Sequence, residues 1–312
     1  MTVQRPFRFG AQLAPRGSGE DWIAAARRVE EMGFSTLLMP DHFGDQFAPL
    51  PALMAAAAAT SRLRIGSLVF DNDFKHPLVL AKEAATLDVL SGGRLEFGLG
   101  AGWLQADYSE SGIPFDPPAV RIDRMKEALT IIKGHFADGP IDFKGKYYTV
   151  SGHEGTPKPV QRPRPPILIA GGGRRILRIA AREADIVGVN YVNRTGAVSP
   201  ELIFSGSAAA TDQKLVWLRE AAGERFDEIE LNATIFFAEV TNDRDGAAER
   251  IAGERSLPPT EVLRSPHFLI GSSDQIVEDL QRRREQWGFS YMTFSREAAE
   301  TLAPVVTRLA GQ

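Results

Sequence analysis

The clearest pattern of apolar and polar positions lies in residues 63–103. A β-branched apolar run at 63–70 is followed by a helical pattern at about 76–90, which Ser91-Gly92-Gly93 ends. A second apolar run at 95–100 then leads into further glycines. Two buried strands joined by one helix predict a right-handed βαβ unit and therefore a parallel sheet.

The same alternation of strand-like and helix-like segments continues along the whole chain. Further strands are predicted at Phe7–Leu13, Thr36–Pro40, Ile167–Ala170, Asp185–Asn190, Ile229–Val240 and after Gly288. One echo indicates a repeated architecture, because Glu31–Leu38 and Glu285–Thr293 both read as a helix end followed by Gly, Phe, Ser and a strand. About eight strands alternating with helices favour an α/β fold of the TIM-like (β/α)8 barrel type with insertions. A doubly wound open sheet is the alternative.

The 312 residues are predicted to form one barrel domain with four inserted segments. These lie at about 103–120, 141–151, 191–211 and 241–272. The segment at 141–151 alternates and contains Lys144-Gly145, which predicts a hairpin. The segments at 103–120 and 192–211 have no clear period and are predicted to be irregular, the second of them a mobile loop.

Composition narrows the class of protein. The chain is 43% hydrophobic and 24% charged, with a net charge of −4 and no cysteine. The weakly acidic balance and the lack of a basic stripe argue against nucleic-acid binding. The lack of cysteine excludes disulfides and thiolate metal sites and suits a cytoplasmic location. No window approaches 18 apolar residues, so no membrane span is expected, and no two histidines have the spacing of a metal site.

The glycines at 98, 100 and 102 invite a dinucleotide-binding interpretation, which we reject. Their spacing is G-x-G-x-G, whereas the dinucleotide fingerprint is G-x-G-x-x-G at the start of a helix. They do follow a predicted parallel strand, at the end where such folds place ligands.

Two other clusters carry candidate chemistry. Asp41-His42 follows a buried strand, where a titratable pair needs a partner or a function, since imidazole titrates near neutrality; the alternative is a capping Asp and a space-filling His. Gly171-Gly172-Gly173-Arg174-Arg175 opens a helix after another strand. Exposed backbone N–H groups and two arginines at a helix N-terminus favour a phosphate or carboxylate. A flexible turn with solvated arginines is the alternative there.

These pieces together resemble the bacterial luciferase-like monooxygenase superfamily, and the match runs nearly end to end. The matching segments are Met39–Phe43, Leu90–Arg94, Gly100–Trp103, Gly112–Phe115, Asp138–Pro140, Phe143–Tyr148 and Ile169–Gly173. The chain is most similar to the branch that uses the deazaflavin coenzyme F-420, whereas the rest of the superfamily uses FMN. The resemblance implies a TIM-like barrel, often a homodimer, with the flavin ring at the C-terminal mouth.

The resemblance also implies roles for particular residues. His42 matches a proton donor or acceptor beside the redox carbon of the deazaflavin, and Asp41 is expected to help hold the ring. The Ser67-Leu68 bond matches a non-prolyl cis peptide that backs the ring, with Val69 beside it, although an ordinary strand is the alternative. Gly102, Trp103 and the segment Gly171–Arg174 complete the expected cofactor site.

Trp103 departs from one branch of the superfamily, the sugar-6-phosphate dehydrogenases, which carry a catalytic Glu at the matching position. Sugar oxidation is therefore in doubt, and an aromatic side chain there is expected to form a wall of the flavin or substrate pocket. The expected function is an F-420-dependent oxidoreductase acting on a small organic substrate. The alternatives are an FMN-dependent monooxygenase and a flavin-binding protein without turnover.

Overall fold

The computed structural model describes residues 5–193 and 195–312, which divide into two compact units. The N-terminal unit comprises Ala14–Arg27 and Leu38–Ile169. The C-terminal unit comprises the described residues up to Leu13 together with Arg28–Leu37 and Ala170–Gln312.

Thirteen strands and twelve α-helices lie within these described residues. The strands are β1 Arg8–Gln12, β2 Thr36–Met39, β3 Arg64–Ser67, β4 Phe70–Asp71, β5 Leu95–Gly100, β6 Ile141–Lys144, β7 Thr149–His153, β8 Ile167–Gly171, β9 Ile186–Val189, β10 Glu230–Ile235, β11 Phe237–Val240, β12 Phe268–Gly271 and β13 Phe289–Ser295. The helices are α1 Gly19–Glu31, α2 Pro49–Ala59, α3 Pro77–Leu90, α4 Gln105–Ser111, α5 Pro118–Phe136, α6 Arg174–Glu183, α7 Pro200–Phe204, α8 Ala208–Ala222, α9 Arg244–Arg255, α10 Pro259–Arg264, α11 Ser273–Trp287 and α12 Arg296–Leu309.

Nine strands form one sheet whose order is β3-β2-β1-β13-β10-β9-β8-β5-β4. Because β3 also pairs with β5, the order returns to its start, as in a barrel. The pairs β1–β13, β10–β13, β9–β10, β3–β5 and β5–β8 are all parallel. The TIM-like barrel prediction is confirmed, and the open doubly wound sheet is excluded.

In the N-terminal unit, β5 is the best-buried strand, since all six of its residues are buried. Burial on both faces is the expected state of a parallel strand between helices, and it explains the continuous apolar runs in the sequence. The predicted hairpin is confirmed, because β6 and β7 pair antiparallel.

In the C-terminal unit, the predicted echo is confirmed. Gly33 after α1 and Gly288 after α11 both have positive φ, of 85° and 82°, and each is followed by Phe, Ser and a parallel strand. A left-handed residue at a helix end is the conformation that glycine adopts without strain. Ser272 and Gln275 form a capping box at the start of α11.

Some element predictions were wrong. The segment 103–120 holds α4, which is too short to show a period, and 192–211 holds α7 and the start of α8. Ser199 and Ser207 cap these two helices, and Pro200 follows the first cap, so the signals for helix starts were present in the sequence. The run Ile229–Val240 is two strands, because β11 leaves the barrel sheet to pair with β12.

No helix within the described residues combines the length and the apolar character that crossing a bilayer requires.

Candidate active site

His42 lies just after β2, whose four residues are fully buried, and its imidazole is fixed by one carboxylate. Its Nδ1 lies 2.6 Å from Oδ2 of Asp107, and the backbone N–H of Phe43 donates to Oδ1 of the same residue at 3.0 Å. The side chain of Asp107 is 5% exposed and that of His42 is 26% exposed. The carboxylate therefore accepts a hydrogen bond from Nδ1–H, and Nε2, which has no partner among the described residues, can exchange a proton.

Trp103 lies beside this pair, as expected of a residue in the pocket wall. Its ring meets the imidazole of His42 edge-on, with 5.8 Å between centroids, and the residue is 38% exposed. The preceding Gly102 has a φ of +72°, and a Cβ there would lie 1.8 Å from the hydroxyl of Tyr108. Gly102 is therefore required by packing within the chain, which is a sufficient reason for glycine without any ligand.

A buried group of carboxylates lies next to the His42–Asp107 pair. The backbone N–H of Asp71 donates to Asp41 Oδ2 at 3.1 Å, and the hydroxyl of Tyr108 lies within hydrogen-bonding distance of Asp71 and Asp73. Arg124 binds Asp73 with two hydrogen bonds of 2.8 and 2.7 Å. Burial raises the pKa of Asp41 to about 6 and the pKa of Asp71 to about 7, so both carboxyl groups titrate near neutrality.

Sequence reasoning missed most of this group. Asp71, Asp73, Asp107, Tyr108 and Arg124 are not among the residues that the sequence predicts for the site. One signal was available, because Asp41 follows β2 and Asp71 ends β4, and both strands are buried. No comparable signal marks Asp107 and Tyr108, since their helix α4 has seven residues and no side-chain cap.

The predicted ring-backing segment needs one correction. The non-prolyl cis peptide bond is Leu68–Val69, one residue later than the predicted Ser67-Leu68 bond. The Ser67 hydroxyl and the Leu68 N–H both donate to the carbonyl of Met39, at 2.8 and 2.9 Å. This holds both residues in line with β2, so the irregular bond falls after them, between the end of β3 and the start of β4.

The glycines of β5 are explained by this same segment. A Cβ at Gly98 would lie 1.9 Å from the carbonyl oxygen of Ser67, and one at Gly100 would lie 2.4 Å from a methyl group of Val69. These glycines allow the neighbouring segment Ser67–Val69 to approach β5 closely. They do not form a nucleotide-binding turn, which agrees with our rejection of the dinucleotide fingerprint.

The second predicted cluster, Gly171–Arg174, lies in the C-terminal unit at the junction of β8 and α6. A Cβ at Gly172 would lie 2.4 Å from the carbonyl oxygen of Asn190, so this glycine is required by the protein's own backbone. Gly173 differs, because its φ is −79° and a Cβ there would meet nothing within 4 Å. Arg174 is exposed and lies 3.8 Å from Glu220.

The N-terminus of α6 fits a phosphate-bearing tail by the chemistry of its donors. Its first turn has no acidic side chain and no side-chain cap, although the helix has ten residues. Its first N–H groups and the two arginines are thus suited to an anion. Both F-420 and FMN carry phosphate, so this end of the helix does not distinguish them.

The C-terminal unit also contains a buried lysine that sequence reasoning missed. The amine of Lys214 donates to the carbonyls of Asn190 and Ser205, at 2.7 and 2.6 Å, and burial lowers its pKa to about 8. Lys214 therefore fixes the end of β9. Tyr191, next in sequence, stacks on Phe236 with 4.8 Å between ring centroids.

Comparison with known proteins agrees with the resemblance found in the sequence. A family model of the luciferase-like monooxygenases matches residues 2–291. The chain belongs to the luciferase-like monooxygenase family. Relatives that are 31% and 28% identical to the chain are oxidoreductases, and the chain is accordingly an oxidoreductase.

Three relatives illustrate the range of this luciferase-like family. An F-420-dependent glucose-6-phosphate dehydrogenase of Microbacterium testaceum is 31% identical over 239 residues, 74% of this chain and 67% of that protein. A 5,10-methylenetetrahydromethanopterin reductase of Methanopyrus kandleri is 28% identical over 285 residues, 86% of this chain and 74% of that protein. An FMNH2-dependent dimethylsulfone monooxygenase of Pseudomonas putida is 30% identical over 166 residues, 51% of this chain and 46% of that protein.

Solved structures of the luciferase-like family share the fold. The F-420-dependent tetrahydromethanopterin reductase of Methanopyrus kandleri superposes with a TM-score of 0.76 at 20% identity, covering 97% of this chain and 99% of that one. An F-420-dependent secondary alcohol dehydrogenase gives 0.76 at 17% identity, covering 97% of each chain. At these identities the likeness establishes the barrel and nothing finer.

The structure brings one subset of the predicted site residues together in the N-terminal unit and another in the C-terminal unit. The first subset is Asp41, His42, Ser67, Leu68, Val69, Gly102 and Trp103, and the second is Gly171, Gly172, Gly173 and Arg174. Their roles toward a cofactor remain predictions.

Proposed function

We propose that this chain is an F-420-dependent oxidoreductase in which His42 is the general acid or base for a small organic substrate. The observation that supports it most is the His42–Asp107 pair, with Nδ1 held at 2.6 Å and the imidazole partly exposed. A positioned imidazole is the usual proton carrier in enzymes. A purely space-filling histidine has no need of a carboxylate partner.

Each residue has a part in this proposal. Asp107 holds His42 so that Nε2 delivers a proton to, or takes one from, the reacting oxygen or carbon of the substrate. In the N-terminal unit, the segment Ser67–Val69, with Gly102 and Trp103, would contact the ring of the cofactor. In the C-terminal unit, Gly173 and Arg174 are suited to a phosphate. When bound, the deazaflavin accepts or donates a hydride, which is chemistry that no side chain supplies.

FMN is the second candidate cofactor, because one relative is an FMNH2-dependent monooxygenase. Calorimetric titration of the purified chain with F-420 and with FMN distinguishes the two candidate cofactors. We expect F-420 to bind with a Kd in the micromolar range or tighter, about −8 kcal/mol, and FMN at least about tenfold more weakly. Tighter binding of FMN would overturn the F-420 proposal and support an FMN-dependent monooxygenase.

The expectations of a homodimer, a cytoplasmic location, and no metal or nucleic-acid partner remain predictions. The alternative of a flavin-binding protein without turnover is set aside, because the chain is an oxidoreductase.

A further inference from the structure

Four aromatic rings lie near His42, and three of them are exposed. Trp103 meets the imidazole edge-on, and Phe43, the next residue in sequence, is 50% exposed and packs on Phe74 with 4.3 Å between ring centroids. Phe115 is 37% exposed and packs on Tyr108 at 4.8 Å. We call Phe43, Phe74, Trp103 and Phe115 the aromatic cluster. Large rings left open to solvent beside an acid–base residue are a feature of ligand sites, since burying them on binding is favourable.

The charged groups around the aromatic cluster are mainly acidic. Asp107 contacts His42, Asp73 contacts Tyr108, and the titrating pair Asp41 and Asp71 lies beside them. In their ionised form these carboxyl groups create a field that repels anions and leaves neutral molecules unaffected.

The nearby cations offer little to an anion. Arg124 is bound by Asp73 and Asp116, and Lys75 is bound by Glu83. Arg121 is 4% exposed, and its Nε and Nη1 have no hydrogen-bond partner within the described part of the chain. Its guanidinium is covered, because it lies over the rings of Phe115 and Tyr108, at 4.2 and 5.5 Å. A sugar phosphate or another anion therefore meets no exposed unpaired cation among the described residues of this neighbourhood.

We propose that the aromatic cluster forms the substrate side of the site and that it takes a neutral, flat, conjugated carbonyl compound. The ring or conjugated system of such a substrate stacks on the face of Trp103 that the cofactor ring leaves open, and its carbonyl oxygen lies within reach of Nε2 of His42. The inference rests on the proposed function, because it assigns His42 to the reaction. It adds the substrate's charge, shape and reacting group.

Three small probes with one skeleton test it: cinnamamide, which is neutral and flat; cinnamate, which carries one negative charge; and hydrocinnamamide, whose side chain is saturated. Binding is measured by calorimetry or ligand-observed NMR, with and without bound F-420. We expect cinnamamide to bind about fivefold or more tightly than either of the other probes, and to stay bound when F-420 is added. Equal or tighter binding of cinnamate would overturn the charge assignment. Displacement of cinnamamide by F-420 would show that the rings hold the cofactor.

Variants locate the probe. Trp103→Ala should weaken cinnamamide about fivefold or more, whereas Trp103→Phe, which keeps a ring, should stay within about threefold. Phe204→Ala is the matched control, because Phe204 is also an exposed ring, at 55%, on α7 of the C-terminal unit. Circular dichroism checks the fold, and Phe43→Ala replaces Trp103→Ala if the latter does not fold. Unchanged binding in the Trp103 or Phe43 variant would overturn the proposal.

Failure of the proposed function would look different. The probe experiments need no turnover, so tight cinnamamide binding without any hydride transfer would contradict the enzyme assignment and leave the binding class intact. Hydride transfer that prefers anionic substrates would support the enzyme assignment and contradict the binding class.

Discussion

At the scale of single residues, the candidate site depends on a contact that no sequence pattern reveals. The position of His42 after a buried strand was sufficient to select it. Its partner Asp107 lies 65 residues later, in a segment without a recognisable period. Only the fold places the two side chains together, because the residues after β2 and the residues after β5 meet at one end of parallel strands.

The contact leads to a prediction about the proton carrier. His42→Ala should lower the rate of hydride transfer about 100-fold or more and leave cofactor affinity within about tenfold, because it removes only the acid or base. Stopped-flow reduction or oxidation of bound F-420 against a panel of enones, ketones and alcohols measures the rate. Lost affinity with a normal rate at saturating cofactor would make His42 a binding residue.

Asp107→Asn tests the positioning role of the carboxylate. An amide cannot accept from both Nδ1–H of His42 and the N–H of Phe43, since one of its two atoms is a donor. We therefore expect the rate to fall about tenfold or more and its pH profile to shift, with cofactor affinity unchanged. Glu110→Gln, on the exposed side of the same helix α4, is the control for loss of one charge. An Asp107 variant with the rate and pH profile of the Glu110 variant would contradict the role.

At the scale of elements, the junction of β8 and α6 illustrates what a glycine run does and does not indicate. The sequence correctly predicts the strand and the helix start. It cannot separate Gly172, which the backbone of Asn190 and Tyr191 requires, from Gly173, which faces open space. The two glycines differ in their contacts with segments that are distant in sequence, which a local pattern does not show.

The two glycines should therefore respond differently to substitution. Gly172→Ala should lower the free energy of unfolding by about 1–3 kcal/mol, because backbone atoms 2.4 Å from the new Cβ must move. Gly173→Ala should leave stability within about 0.5 kcal/mol, whereas Gly173→Leu should weaken F-420 and FMN alike, since it covers the first N–H groups of α6. Urea unfolding and calorimetric titration measure these effects. Full cofactor affinity in Gly173→Leu would place the phosphate elsewhere.

At the scale of the whole molecule, the order of elements was the most predictable feature. Strands buried on both faces read as continuous apolar runs, such as β5, and this alternation with helices leads directly to the barrel. The departures were local: α4 is too short for periodicity, and β11 pairs with β12 outside the barrel sheet. The sequence selects the candidate site residues that follow strands. It does not select residues such as Tyr108 and Arg124, whose place in the site depends on contacts between segments distant in sequence.

The buried carboxyl groups of Asp41 and Asp71 make the stability of the whole molecule depend on pH. Burial raises their pKa values to about 6 and about 7, whereas an aspartate in the unfolded chain titrates near about 4. The folded state thus holds these protons more tightly than the unfolded state. The contribution to stability is fully present below about pH 4 and is lost as the pH rises to about 7.

Asp71→Asn removes one of these titrations, because asparagine does not ionise, and it keeps an acceptor for the backbone N–H of Asp73. Between pH 4.5 and pH 8, the unfolding free energy of the variant should rise relative to the native chain by about 1–3 kcal/mol. Urea unfolding at several pH values measures this difference, and Asp138→Asn, at an exposed position, should show none of it. A difference that does not depend on pH would mean that Asp71 is ionised throughout this range in the folded protein. In that case Tyr108 and the backbone N–H of Asp73 would stabilise the charged carboxylate more than burial destabilises it.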